Sequence, residues 1–163
     1  MKRTLSLIAI LAFTLILGGC AAMFKSAPVD PAQAAETQKM LESKSFTFNA
    51  SNMMPLRGGT KFLDGRDFFR VEGDDFTSAL PFIGRAFSIP YGGGEGLSFE
   101  SKVSDYRISR KGDHWIVTIK VETNEDNHQY RLEVYADGNA YLTVSSRERD
   151  TISFNGGVTA NEK

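Results

Sequence analysis

His114-Trp115-Ile116-Val117-Thr118-Ile119-Lys120-Val121-Glu122-Thr123 carries the clearest periodicity in the chain. Trp115, Val117, Ile119 and Val121 recur at every second position, with Thr118, Lys120 and Glu122 between them. Side chains alternate across a strand, so a period of two puts the apolar set on one face and the polar set on the other. The stretch reads as a β-strand with one buried face, and its neighbours repeat the pattern. Tyr130, Leu132 and Val134 face inward while Arg131 and Glu133 face water. Ala140, Leu142 and Val144 alternate inward with Tyr141, Thr143 and Ser145 outward. The separating stretches are Lys111-Gly112-Asp113, Asn124-Glu125-Asp126-Asn127 and Asp137-Gly138, the last a strong hairpin turn.

Working outward, Ser104 to Lys111 places Tyr106 and Ile108 on one face. Upstream, Phe46 and Phe48 alternate with Thr47 and Asn49. Met53 to Gly59 reads as a loop, Lys61-Phe62-Leu63 as a short strand and Asp64-Gly65 as a turn. Asp67 to Glu72 and Phe76 to Ala79 are further strands, divided by Gly73-Asp74-Asp75. A final strand over Asp150 to Phe154 is expected to stop at Asn155-Gly156-Gly157. About nine short strands with turns every eight to twelve residues point to a mainly β fold, one antiparallel sandwich or partly closed barrel-like domain. No helix falls between strands, which excludes parallel βαβ units. Asp30-Pro31 is a helix start, with Asp at the N-cap and Pro at the first helical position. The helix formers that follow carry a thin apolar face of Ala34, Thr37, Met40 and Leu41, suited to lying across one end of a sheet.

The amino terminus has a different layout. Lys2 and Arg3 precede a mainly apolar run from Leu5 to Leu17, the charge pattern of a secretory signal and too short to span a membrane comfortably. Leu17-Gly18-Gly19-Cys20-Ala21 then looks like a bacterial lipobox. Small residues let a peptidase close on the backbone, and the Cys20 thiol is the group that carries diacylglycerol. Its freed amine can take a further acyl chain such as palmitate. Two or more acyl chains make anchoring stable where one is marginal. The expected organisation is a cleaved lipoprotein signal over residues 1–19, a lipidated tether over 20–29, the folded domain over 30–157 and a polar tail over 158–163. The +2 position is Ala21, not an aspartate, and no acidic cluster follows the cysteine. Both features favour an outer-membrane anchor facing the periplasm.

Charge narrows the partners. Losing Lys2 and Arg3 from 19 basic residues leaves 17 against 20 acidic ones, a net of −3 with the signs interspersed. No basic stripe exists to track nucleic acid or to adhere to anionic lipid. Cys20 is the sole cysteine, so no intramolecular disulfide can form.

One segment breaks the strand rhythm. Residues 80 to 99 hold two of the five prolines and five of the fifteen glycines within an aromatic run. Pro81 and Pro90 suggest edge positions, since proline cannot donate to a ladder. Within this segment, Leu80-Pro81-Phe82-Ile83-Gly84-Arg85-Ala86 and Gly96-Leu97-Ser98-Phe99-Glu100-Ser101 resemble the bacterial proteins catalogued as domain of unknown function 4251. Gly138-Asn139-Ala140-Tyr141-Leu142 and Ser145-Ser146-Arg147-Glu148-Arg149 are also similar to that family. Ile83 stands where the family tends to have an aromatic residue. The likeness covers about residues 35 to 157. It implies a lipobox, a short helix and a β domain in Gram-negative gut-associated bacteria, and brings no activity or catalytic residue.

Candidate chemistry is sparse. His114 and His128 both sit at turns and are expected to be exposed, about a strand length apart, so no shared metal site is expected. No serine lies in a Gly-x-Ser-x-Gly elbow. Gly92-Gly93-Gly94-Glu95-Gly96 lacks the lysine and the helix of a phosphate cradle. Arg85, in an apolar setting, is either paired within the fold or an anion-recognising group at a pocket lined by Phe82, Phe87 and Tyr91. The expectation is a non-enzymatic envelope lipoprotein without catalytic residues, metal or cofactor. It would bind an envelope protein or serve envelope maintenance. The alternative is a periplasmic carrier of a small apolar or anionic ligand, with a cavity inside the sheet.

Overall fold

The computed structural model describes residues 30–87 and 96–161. Helix α1 (Pro31–Glu42) is followed by β1 (Ser45–Pro55), β2 (Lys61–Phe62), β3 (Phe68–Glu72), β4 (Asp75–Leu80) and β5 (Leu97–Lys111). Then come β6 (His114–Glu122), β7 (Asn127–Tyr135), β8 (Asn139–Ser146) and β9 (Ile152–Ala160). All neighbouring strands are antiparallel, and β9 returns to pair with β1. Strands β1 and β3 to β9 therefore close an eight-stranded barrel, with β2 added against the far half of β1. Of the two expected sheet forms, the barrel is the one adopted.

The alternating residues of the meander supply the interior. Trp115, Val117, Ile119 and Val121 are buried, as are Tyr130, Leu132 and Val134, and Ala140, Leu142 and Val144. The centre is aromatic. Phe69 lies with its ring centroid 5.4 Å from that of Phe48, 5.5 Å from Phe76, 5.5 Å from Tyr130 and 6.0 Å from Phe46. Burying one such side chain contributes roughly 1.5–3 kcal/mol. The Tyr130 hydroxyl donates to Ser78 Oγ at 3.1 Å, which satisfies its polar end inside the barrel. Burial pushes the Tyr130 pKa upward.

Helix α1 closes one end. Asp30 Oδ1 accepts from the Ala32 N–H at 2.9 Å, the N-cap that the sequence called for. Leu41 is fully buried against the core, Thr37 Oγ1 donates to the Ala136 carbonyl, and the Tyr106 hydroxyl donates to the Leu41 carbonyl at 2.7 Å. Among the described residues no helix is long and apolar enough to cross a membrane.

Three segments differ from expectation. Met53 to Pro55, read as loop, extends β1 and pairs with Phe154 to Ile152. A bulge between Ala50 and Asn52 shifts the period there and hides the strand from a simple alternation test. Leu97 to Phe99, assigned to the irregular segment, begins a 15-residue β5 that carries its own bulge between Val103 and Asp105. Finally, β9 does not stop at Gly156-Gly157 but runs on to Ala160, three residues into the expected polar tail. Gly156 packs so closely on β1 that a Cβ there would run into the Asn49 carbonyl oxygen and crowd the Phe48 ring. The glycines thus permit a tight seam where they were expected to end a strand.

Two substitutions test this architecture. Phe69→Ala should cost about 3–5 kcal/mol in denaturant unfolding, because four rings lose a shared neighbour. Gly156→Ala should cost about 1–3 kcal/mol through overpacking at the seam. A neutral result for either would contradict the packing described.

Candidate functional site

The mouth opposite α1 is built from the parts of the chain that join strands there. These are the β4–β5 connection, the β6–β7 turn and the β8–β9 connection. Residues 81–87 cross over to residues 148–150. The Phe87 N–H donates to the Glu148 carbonyl at 2.7 Å, the Asp150 N–H donates to the Arg85 carbonyl at 3.0 Å, and Ala86 pairs with Arg149 as an isolated bridge. The Arg85 N–H donates to Asp150 Oδ2 at 3.0 Å. Two sequence segments about 65 positions apart are therefore laced together across the barrel end. Pro81 follows Leu80, the last ladder residue of β4, so its missing N–H removes no ladder bond.

Gly84 gives this crossing its shape. A Cβ on Gly84 would lie 2.7 Å from Phe82 Cζ, so the absence of a side chain lets the Phe82 ring fold back beneath it. That ring receives the Arg149 guanidinium at 5.6 Å from its centroid. The Arg149 side chain is only 9% exposed, with Glu125 Oε2 at 3.4 Å and Asp126 Oδ2 at 4.0 Å.

Asp126 is held by its own turn. Thr123 N–H and Oγ1 both donate to the Asp126 carbonyl, and the Asp126 N–H donates to Thr123 Oγ1 at 3.0 Å. The Asp126 carboxylate accepts through Oδ1 from the Asn127 N–H at 2.7 Å and the Arg147 N–H at 3.2 Å. His128 follows on β7. It is 3% exposed, and its ring stacks on Phe99 with centroids 4.9 Å apart. Burial holds the His128 pKa below the ordinary histidine value; Arg149 adds to this effect, while Asp126 and Glu125 oppose it. Ser146 lies opposite His128 in the β7–β8 register.

This mouth concentrates polar groups that are buried and incompletely paired. Asp126 Oδ2, His128 Nδ1, Ser146 Oγ and Arg149 Nε are all buried without a hydrogen-bond partner among the described residues. Native structures satisfy most buried polar atoms, so four at one end mark it as exceptional. Serine, histidine and aspartate are all present, yet none of the hydrogen bonds that a nucleophile relay needs joins them. The Asp126 carboxylate is instead engaged by backbone amides. Among the described residues no three His, Cys, Asp or Glu side chains form a group able to hold a metal ion.

The residues singled out in the sequence fall differently. Phe82 is partly buried, but the guanidinium it meets belongs to Arg149. Arg85 is exposed, with its backbone engaged by Asp150 and no ion pair to a described residue. Phe87 is 69% exposed. Tyr91 and Cys20 lie outside the described residues. The two histidines are at opposite ends of the β6–β7 hairpin, as expected. His114 sits 3.1 Å from Asp113. The expectation that both are exposed fails: His128 is buried and His114 is partly buried. The inward series Tyr130, Leu132, Val134 extends back by twos to His128 and Asp126, a signal that the polar turn obscured.

The lowered His128 pKa sets a pH dependence. Its stabilising contribution is fully present above the unfolded histidine value of about 6.5, and is lost as pH falls through the lower folded value. The melting temperature should therefore drop as pH falls from about 6.5 towards the lower folded value, and His128→Gln should flatten the drop. An unchanged profile in the variant would contradict the buried neutral imidazole.

The comparisons with known proteins bear on the whole domain. A family model described as Domain of unknown function (DUF4251) matches residues 29–158. A crystal structure at 1.95 Å of a DUF4251 family protein from Bacteroides eggerthii DSM 20697 superposes with a TM-score of 0.61 at 20% identity. The match covers 80% of this chain and 89% of that one, and bears on fold alone. No curated protein matches the sequence.

Proposed function

The chain belongs to the DUF4251 family, and on that premise we propose that it is a lipid-anchored, non-enzymatic binding module of the cell envelope, working through the open mouth of its barrel. The observation that carries this reading is the filled interior. Phe46, Phe48, Phe69, Phe76 and Tyr130 occupy the space that a carried ligand would need. Binding is thereby displaced to the outside, which favours a protein partner over the carrier alternative.

The surface at the mouth fits such a role. Phe62 is 86% exposed on β2, Leu56 follows the end of β1, and Ile83 and Phe87 project from the crossing segment. Exposed apolar side chains grouped at one end of a domain are a feature of interaction surfaces. The partner in this reading is another envelope protein. The described chain begins at Asp30 beside the helix-closed end. A tether lipidated on Cys20 and joined there leaves the opposite mouth free to engage it, with the outer membrane facing the periplasm as the proposed site.

Two variants separate the anchor from the surface. Cys20→Ala should move the protein from the membrane fraction to the soluble fraction; unchanged membrane association would overturn the anchor. Phe62→Glu combined with Phe87→Glu should keep stability within about 0.5 kcal/mol, as for exposed sites generally, yet abolish recovery of the partner that the wild type retains from its native envelope. Undiminished recovery would overturn the mouth as the binding face.

A further inference from the structure

The barrel leaves a long strand edge open at its helix-closed end. Strand β5 has 15 residues, but β4 is short and pairs only with Leu97 to Lys102. The Val103 N–H donates to the Asp74 carbonyl, and beyond it β5 continues beside β6 alone. From Ser104 to Lys111, no backbone group among the described residues bonds to the side of β5 that faces away from β6. The bond from the Tyr106 hydroxyl to the Leu41 carbonyl sets this stretch against the last turn of α1, at the opposite end from the mouth.

The turn decides which groups this edge presents. Gly112 (φ 63°) and Asp113 form a two-residue hairpin loop with glycine at its first position, flanked by the Lys111–His114 pair. The flanking pair exchanges both backbone bonds, and such pairs alternate along an antiparallel ladder. Ser109 and Arg107 therefore bond to β6, whereas Tyr106, Ile108 and Arg110 turn their N–H and carbonyl groups to the free edge. Edges of this kind are ordinarily blunted by proline or by projecting charge. This one holds no proline, its Arg110 guanidinium is drawn over the Trp115 ring at 5.3 Å, and its Arg107 Nε lies 3.0 Å from Asp105 Oδ2. Lys111 is exposed and forms no ion pair with a described residue.

We propose that this edge pairs with the same edge of a second copy of the chain, antiparallel and centred on Ile108. The side chains choose the register, because like charges directly opposite destabilise a pair while opposite charges stabilise it. A centre at Arg107 or Arg110 sets that guanidinium against its own copy, and a centre at Ser109 sets Arg107 against the partner's Lys111. A centre at Tyr106 runs into residues already paired with β4. The Ile108 centre instead puts Asp105 opposite the partner's Lys111, Tyr106 opposite the partner's Arg110 and Arg107 opposite the partner's Ser109. Ile108 meets its own copy, and the outward backbone groups of Tyr106, Ile108 and Arg110 all find partners. Two-fold symmetry makes each unlike contact occur twice. The mouth stays free in such a dimer, so this inference does not depend on the reading of the mouth as a binding face.

The test is oxidation of the full chain in its native envelope, carrying Arg107→Cys combined with Ser109→Cys, read by non-reducing electrophoresis and mass spectrometry of the linked peptides. Both replaced side chains are exposed, so the fold is retained. In the proposed register the two positions face each other across the copies as a non-hydrogen-bonded pair, with Cα atoms about 4.5 Å apart and within disulfide reach. A covalent dimer joining position 107 of one copy to position 109 of the other is expected. Either single variant should give none, since its copies lie on the diagonal about 7–8 Å apart. Adding Lys111→Asp to the double variant should slow dimer formation about tenfold, by facing Asp105 with a like charge. Absence of the dimer, an equal yield from the single variants, or an undiminished rate with Lys111→Asp would each overturn the proposal. Linkage to a different protein would overturn it too, by giving the edge to another partner.

Discussion

Eight strands closed on themselves leave an interior about wide enough for one set of packed side chains or one small ligand. Here the space is taken by rings packed around Phe69. That constraint propagates through the rest of the molecule. An interior filled with aromatic side chains cannot also hold a cargo, so specific chemistry must collect at the ends. One end is used structurally, by a helix held through Leu41, Thr37 and the Tyr106 hydroxyl. The other is left to the connections between strands.

Those connections do not form a simple lid. They place a guanidinium, a carboxylate and an imidazole just inside the mouth, between Phe82 on one side and Phe99 on the other. Burying such groups without full pairing is unfavourable. A sequence selected for stability alone would fill these positions with apolar residues. The retained polarity sits where Leu80 to Ala86 and Ser145 to Arg149 meet, two of the four stretches whose sequence resembles the family. Their pairing explains why both matter together. Gly84 admits the Phe82 ring, the ring seats Arg149, and Arg149 faces the carboxylate of the β6–β7 turn.

The sequence is most informative where one face is buried and regular. The period of two in Trp115 to Val121 located β6, and the same alternation located β7 and β8. Asp30-Pro31 located the helix start to the residue. Legibility failed where a bulge resets the alternation, as at Ala50 and Val103, and where a glycine pair permits close approach within a strand, as at Gly156. Barrel closure was equally hidden, since it depends on which strands meet and not on local pattern. At the site, the sequence points to Arg85 beside Phe82, whereas the guanidinium over that ring is the one of Arg149. Arg85 and Arg149 share an apolar neighbourhood in sequence or in space, and only the crossing of two distant segments distinguishes them. Asp126 and His128 were masked by the polar residues around them, although their spacing continued the inward series.

The pairing of Phe46 with Ala160 joins nearly the first and nearly the last residues of the folded domain. Contacts so distant in sequence form late, because a long chain must be ordered before they are gained. A polypeptide emerging amino terminus first presents β1 with no β9 to accept its open edge. Until β9 arrives, the sheet has two free edges and an uncovered aromatic face, the features that promote aggregation. A frameshift within β9 would act as a failure of closure, not as the trimming of a tail.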